Sequence, residues 1–452
     1  MSSSLNTTLN NSWKTTVRVL LGEDVGPLED YEGYLAEYLP KPAVRSSYLS
    51  GKKVSLATDS YNPEARFISA DELGRETAEP LSINDMKDID SLAEALKERW
   101  TYCGNRILGN SALVESSDLV TDSNLVQKSS DIQQSSHVFS SFMVRSGSRN
   151  IFGSGYFSRS EFIIRSFGAV KIARCLEAHF IADSSDIYFS HNCFGCSELM
   201  FSFFQRGKRH CIGNLQLPKD KYLELKKRLL SEIAVELKAK KRFPSLFELA
   251  GARPPKGALA CDAAPRVESM ERIERAFSST FKKLFRREPG SITAYENWLS
   301  RHSSTIKEAV SPFGHKVSIP SHLEFAALSL VPSERWVSLE ESFELGDLKM
   351  DVKDISSLDK VIEALPGIAY FTPEVREGQC SNNIRSPLVY NASDTYKVYD
   401  ATNAAYAGVS SQALDSKYIF GGNRIIESEY CVNCYNSLGL ARCFEMDSST
   451  KC

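Results

Sequence analysis

Four side chains in one short stretch have the chemistry of a metal site. In "SHNCFGCSELMFSFFQRGKRHC", from Ser190 to Cys211, Cys193 and Cys196 form a C-x-x-C, and His210 and Cys211 follow 14 residues later. Thiolate and imidazole are ligands that zinc takes in a tetrahedron, so zinc is the cofactor this set points to. A second C-x-x-C, Cys431 and Cys434, has Cys443 and Cys452 downstream as further ligands. The competing reading is packing, because a buried free cysteine behaves as a small hydrophobe. Other residues offer other chemistry. His137, His179, His191 and His210 could supply the base of an acyltransferase. Asp183 and Asp186 could form the carboxylate pair of a glycosidase. Asp in turns is common, and a lone histidine is more often structural. The chain has no G-x-S-x-G, P-loop or H-E-x-x-H.

The elements around these residues follow a beat of six. Every sixth residue from Ile151 to Cys211 is apolar except Gln205: Phe157, Ile163, Ala169, Cys175, Ile181, Ile187, Cys193 and Leu199 lie between. Segments rich in Ser, Asp, Asn and Gly separate them. The beat fits neither an amphipathic helix nor strand alternation, and it predicts a parallel β-solenoid with a Ser/Asn-rich exterior. Three six-residue faces would make an 18-residue coil. That coil would stack Cys175, Cys193 and Cys211 in one inward core column and leave Cys196 and His210 outside it. A two-faced coil of 12 stays open, since Cys431 and Cys443 are 12 apart.

The chain also repeats itself. "YEGYLA" at 31–36 matches "YENWLS" at 295–300, and "GKKVSL" at 51–56 matches "GHKVSI" at 314–319. "RFISADE" at 66–72 matches "RWVSLEE" at 335–341, and "KDIDSL" at 87–92 matches "KDISSL" at 353–358. The stretch 148–177 matches 416–445 with 10 of 30 residues identical, where composition alone gives about two. Five matches in order predict a tandem duplication of a unit of about 265 residues. Cys452 aligns with Ser184, so the second copy lacks a counterpart of the opening stretch. Within the repeat, Cys431 and Cys434 align with Ile163 and Ser166, which favours packing over ligation.

The predicted fold is mainly β with a helical connector: two β-solenoids, each preceded by a small α/β segment. The expected parts are an N-terminal tail (1–28), an α/β segment (29–109), a first solenoid (110–216), a helical connector (217–290), a helical and α/β segment (291–385) and an incomplete second solenoid (386–452). Helices are expected at 88–99 and 354–364, two more in the connector, and a linker at 251–266.

"NCFGCSELMFSFFQRGKRHCIGNLQLPKDKYLELKKRL" resembles the C-terminal signature of uncharacterised cysteine- and aromatic-rich repeat proteins. These occur in small-genome bacteria, archaea and some large phages. Cys193, Phe194, Gly195 and Cys196 match its N-C-F-G-C, and Cys211, Ile212, Asn214, Gln216 and Tyr222 match the rest. The family's tyrosine before the second cysteine is His210 here, and its N-terminal zinc ribbons are missing. The resemblance covers 190–230 closely and about 110–190 loosely. It implies a repeat fold and no activity.

A net charge of −3 gives no global attraction to nucleic acid, and the basic cluster Lys282, Lys283, Arg286 and Arg287 reads first as a solvated helix face. No stretch approaches 18 apolar residues, and the N-terminus has no apolar leader, so neither a membrane span nor a secretory signal is expected. The expectation is a non-catalytic structural or interaction protein, cytoplasmic or virion-associated, that binds protein partners or itself. A zinc-stabilised binding module and a solenoid enzyme are the alternatives.

Overall fold

The computed structural model describes residues 2–40, 43–59, 61–62, 64–76, 80–82, 87–97, 99–251, 268–321 and 330–452. The expected linker at 251–266 lies, but for Gly251, outside the described residues.

Short parallel strands run from Ile107–Leu108 to Arg209–Ile212, and again from Val375–Glu377 to Tyr435–Leu438. Each pairs with the strand one coil further on, in the register Val126↔Val138, Val138↔Ile151, Ile151↔Ile163, Ile163↔Cys175. The second solenoid repeats it as Ala407↔Ile419 and Ile419↔Cys431. The coil is therefore 12 residues, not 18; an insertion at Gly147 spaces Val138 from Ile151 by 13, and the first coil of each solenoid also spans 13, Ile107↔Val120 and Val375↔Leu388.

The underlying unit is three residues. From Ser117 to Ser202 every third residue is buried, apolar and serine positions alternating through Val120, Ser123, Val126, Ser129, Ile132 and Ser135. The residue before each inward one takes a left-handed backbone, as at Leu119, Asp122, Leu125 and Lys128. Four such steps complete a coil. Left-handed conformations cost L-residues about 1 kcal/mol or more apiece. The ladder offsets this, because the left-handed residue's N–H donates to a carbonyl one coil back: Lys128 to Glu115, Gln134 to Thr121, Arg165 to Phe152.

The serines correct the expected exterior. They point inward and form ladders of their own. At Ser117, Ser123 and Ser129 the Oγ donates to the carbonyl two residues back and accepts the N–H of the residue 12 ahead. Ser129 Oγ donates to Gln127 O at 2.8 Å and accepts from Ser141 N–H at 3.1 Å. A hydroxyl at this position satisfies a buried backbone donor that an apolar residue would leave unpaired.

The expected tail is a helix. α1 (Ser2–Leu21) buries Leu5, Leu9, Trp13 and Val17 against the first solenoid, with Trp13 edge-on to Phe152 at 5.4 Å. It leads through a 3-10 turn to α2 (Glu32–Ala36). Next come an antiparallel hairpin (Ala43–Ser46 with Lys53–Leu56), a parallel pair (Arg66–Ser69 with Thr101–Gly104) and α3 (Ile89–Lys97).

The expected connector divides between the two solenoids. α4 (Lys219–Lys240) and α5 (Leu246–Gly251) share the apolar core of the first solenoid's outer side. α6 (Glu271–Phe285) packs on the second, with Phe277 edge-on to Phe420 at 5.1 Å. A 3-10 turn, α7 (Glu296–Leu299), a hairpin (Ile306–Val310 with Lys316–Pro320), α8 (Leu339–Leu345) and α9 (Leu358–Ala364) follow. The helices at 89–97 and 358–364 lie where the sequence predicts them.

Residues that the sequence matches between the two halves make similar contacts. Glu32 pairs with Lys128 at 2.6 Å, and Glu296 pairs with Lys397. A Cβ on Gly153 would lie 2.7 Å from Leu35 O, and one on Gly421 would lie 2.9 Å from Leu299 O. Ser69 and Glu72 close a capping box, as do Ser338 and Glu341. The solenoids touch through equivalent columns. Gln412 Nε2 lies 4.0 Å from the Met143 sulfur, and Arg424 reaches Asp131 at 3.2 Å.

Candidate functional site

The three-residue step decides where every solenoid cysteine points. Cys175, Cys193, Cys196, Cys211, Cys431 and Cys434 are inward and buried. Cys175 and Cys211 share a column with Ile163, Ile187 and Leu199. Cys193 does not join it. It follows Ala169 and Ile181 on the facing side of the coil, so the single column expected from an 18-residue coil is replaced by two.

Each C-x-x-C spans one step of the coil, joining an apolar position to a serine-ladder position. Cys196 stands where a ladder serine would: Cys196 N–H donates to Ser184 Oγ at 3.0 Å, and Lys208 N–H donates to Cys196 Sγ at 3.4 Å. Its own thiol donates to Phe194 O at 3.3 Å. Cys434 copies this with Val432 O at 3.5 Å. Cys193 donates to His191 O at 3.4 Å, and Cys211 to Arg209 O at 3.5 Å.

His210 leaves the cysteines altogether. Its Nε2 lies 2.6 Å from Glu198 on the outer surface, and its ring leans on Tyr222 of α4. Burial pushes the thiols up, Cys211 to about 11, with Cys193 and Cys196 also raised. Zinc takes the thiolate, which this environment disfavours. Among the described residues no group of three or more His, Cys, Asp or Glu side chains is placed to hold a metal ion. Cys193, Cys196 and Cys211 thus all face the coil interior, and His210, their neighbour in sequence, is turned outward onto Glu198.

The other candidates are separated in the same way. His179 and His191 stack one coil apart inside the structure. His179 lies 3.4 Å from Glu177 and between Phe167 and Phe247. His191 packs edge-on to Phe180, Phe204 and Phe371, and its Nε2 accepts from Thr372 N–H at 3.2 Å. Burial lowers its pKa to about 3, which keeps the ring neutral. His137 is half-buried on the outer surface beside Ser136. Asp183 and Asp186 occupy successive left-handed positions, and each pairs with the base one coil back: Lys171 at 3.3 Å and Arg174 at 2.7 Å. Neither pair of acids nor pair of histidines converges on a cleft.

One charged cluster escaped the sequence reading. Arg165 and Glu177, one coil apart and both 1% exposed, meet at 2.5 Å. The Arg165 guanidinium also lies 3.1 Å from Glu37 and 4.0 Å above the Tyr34 ring, and Glu177 accepts from Leu246 N–H at 3.5 Å. Burial works against the Glu177 charge, but Arg165 and His179 more than offset it and hold its pKa low. The available signal was a 12-residue spacing of opposite charges just before the ladder positions Ser166 and Ala178.

In the basic cluster, Lys282 pairs with Glu288, and Lys283 sits 4.4 Å over the ring of Tyr430. Tyr430 ends a stack with Tyr418 and Tyr406, centroids 4.5 and 5.0 Å apart. No helix among the described residues is long and apolar enough to cross a membrane. No protein-family model, curated protein or solved structure matches this chain.

Proposed function

We propose that the chain is a tandem duplication of one helix, α/β and solenoid unit, and that it works as a non-catalytic scaffold for assembly or protein binding in the cytoplasm or in a virion. The observation that carries this reading is the use to which the reactive side chains are put. Cysteines and serines line the coil interior, and the histidines and acids are tied into neighbouring coils or covering helices. What faces outward on the open side of the first solenoid is a regular row, Asp122, Gln134, Arg159, Lys171 and Asp183, at coil spacing. Such a row offers a partner many weak contacts in register and no convergent cleft.

Equivalent contacts support the duplication: Glu32 with Lys128 and Glu296 with Lys397, Trp13 on Phe152 and Phe277 on Phe420. Sedimentation velocity with crosslinking in a native lysate tests the scaffold reading. A self-assembled species or a stoichiometric partner crosslinked to this row is expected. A strictly monomeric chain with no crosslinked partner would overturn it.

A further inference from the structure

One half of the molecule contains a cleft that the other half has filled. Between α2, the hairpin Ala43–Ser46/Lys53–Leu56 and the first solenoid lies a space of about 560 Å³, open on one side. Leu39, Val44 and Phe142 give it apolar walls, and Ser130, Ser140 and Lys53 add polar groups.

The offset of 269 that pairs Lys128 with Lys397 places Tyr399 where the cleft has Ser130. Tyr399 is fully buried. The second half also closes its seam: Ser303 Oγ donates to Val409 O at 3.3 Å, and Ser304 N–H donates to Ser411 Oγ at 2.7 Å. In the first half the corresponding residues, at α2's offset of 264, are Leu39 and Pro40, and Phe142 replaces Ser411. Leucine has no hydroxyl and proline has no N–H, so the seam cannot close in this way. Four differences, at Ser130, Leu39, Pro40 and Phe142, meet at one open space. Unfilled space costs stability, and this one lies within the size range of small-molecule sites.

We propose that this cleft binds a small aromatic acid. The ring takes the room that a tyrosine side chain takes in the second half, against Phe142, Leu39 and Val44. A ring hydroxyl meets Ser130 and Ser140. The acid group turns to Lys53, because the other lysine of the lining, Lys128, is already neutralised by Glu32 at 2.6 Å. Lys53 makes no ion pair within 4.0 Å among the described residues. The inference rests on the proposed duplication and does not need the scaffold reading.

The test uses the full chain, with 3-(4-hydroxyphenyl)propionate and the uncharged 4-methylphenol as probes, titrated by saturation-transfer NMR. The acid is expected to saturate with a dissociation constant near or below about 1 mM. Ser130→Tyr, which installs the second half's residue, should weaken it at least about tenfold without lowering the melting temperature. Val44→Trp, on the exposed rim, should block by a separate route should Ser130→Tyr fold poorly. Lys53→Gln should weaken the acid about threefold and leave 4-methylphenol unchanged. No saturation by the acid at 10-fold that concentration, or equal binding by parent and both blocking variants, would overturn the proposal.

Discussion

Arg165 and Glu177 in the first solenoid, and Asn433 and Glu445 in the second, stand at positions that the sequence matches, each pair one coil apart. The first pair is 1% exposed on both sides, closed over by α2 and by the segment at Leu246. In the second pair Asn433 Nδ2 donates to Glu445 Oε1 at 3.0 Å, and Arg301 reaches the same carboxylate from solvent. The backbone is the same in both, left-handed at each of the four residues. What differs is the cover of the acid: Asn433 is as buried as Arg165, whereas Glu445 is half-exposed and Glu177 is enclosed. A coil that spends its inward positions on packing leaves its left-handed positions free to match whatever lies outside. The same coil can therefore carry a fully buried ion pair in one half and, in the other, a buried amide that meets a half-exposed acid.

The interiors differ as well. Val120, Val126, Ile132 and Val138 fill the first coils of one solenoid, where Val389, Thr395, Ala401 and Ala407 stand in the other. Smaller inward residues bury less apolar area per coil, so the second solenoid relies more on α6 and α7.

The strongest way to break the comparison is at the shared glycines. Gly153→Val and Gly421→Val each put a side chain against a helix carbonyl at φ +62 and +71. Each should cost roughly 3–5 kcal/mol in chemical denaturation. A tolerated change at one site alone would mean that the two halves are not held alike. Next in size is the rung pair itself. Arg165→Met should cost about 3 kcal/mol by leaving Glu177 buried without its guanidinium partner, and Glu177→Gln in the same chain should restore much of it. Asn433→Ala should cost about 1 kcal/mol. Equal losses would refute the role given to the cover.

At the junction of the solenoids, burial raises the Asp400 carboxyl to about 6, opposed by the Thr402 hydroxyl and Arg145. The folded pKa lies above the unfolded one. The folded state therefore holds the extra proton between about pH 4 and 6, and stability falls as pH rises through that window. Asp400→Asn should stabilise by about 2 kcal/mol at pH 7.5 and by almost nothing at pH 4, read from paired denaturation curves.

The ladder comes next. Ser129→Ala should cost about 1–2 kcal/mol because Ser141 N–H loses its partner, whereas Ser129→Cys should cost under about 1 kcal/mol, as Cys196 holds the same place naturally. The smallest expected effect is that of metal removal. Protein purified without added metal should hold less than about a tenth of an equivalent of zinc, and chelator should leave its melting temperature unchanged. Stoichiometric zinc would require the cysteines to leave the coil interior.

Half of the interior was legible in the sequence. The apolar residues at spacing six stand out because nothing else keeps that beat. The serines three residues away are as regular, at Ser117, Ser123, Ser129, Ser135 and Ser141, but a hydroxyl reads as surface until its ladder partner is known. The coil length was not legible for a related reason. Inward columns repeat every three residues, so spacings of 12 and 18 look equally regular, and only the pairing of Ile163 with Cys175 decides between them. α1 was missed because its apolar face, Leu5, Leu9, Trp13 and Val17, is interrupted by Asn, Ser and Thr, which favour caps and turns in an isolated helix. Packing on Phe152 overrides that preference.

By itself the sequence determined that the chain is built on a short regular coil, that its cysteines keep step with that coil, and that its two halves share an order of motifs. These are properties of spacing, and spacing along a chain survives in the sequence. Tertiary structure alone decided which column each cysteine joins, that the serines face inward, and which left-handed side chains are enclosed. It also decided that Ser130 borders an open cleft where Tyr399 is buried. Those are facts about neighbours a coil or more away. They depend on where the ladder closes and what covers it, and no local pattern encodes either.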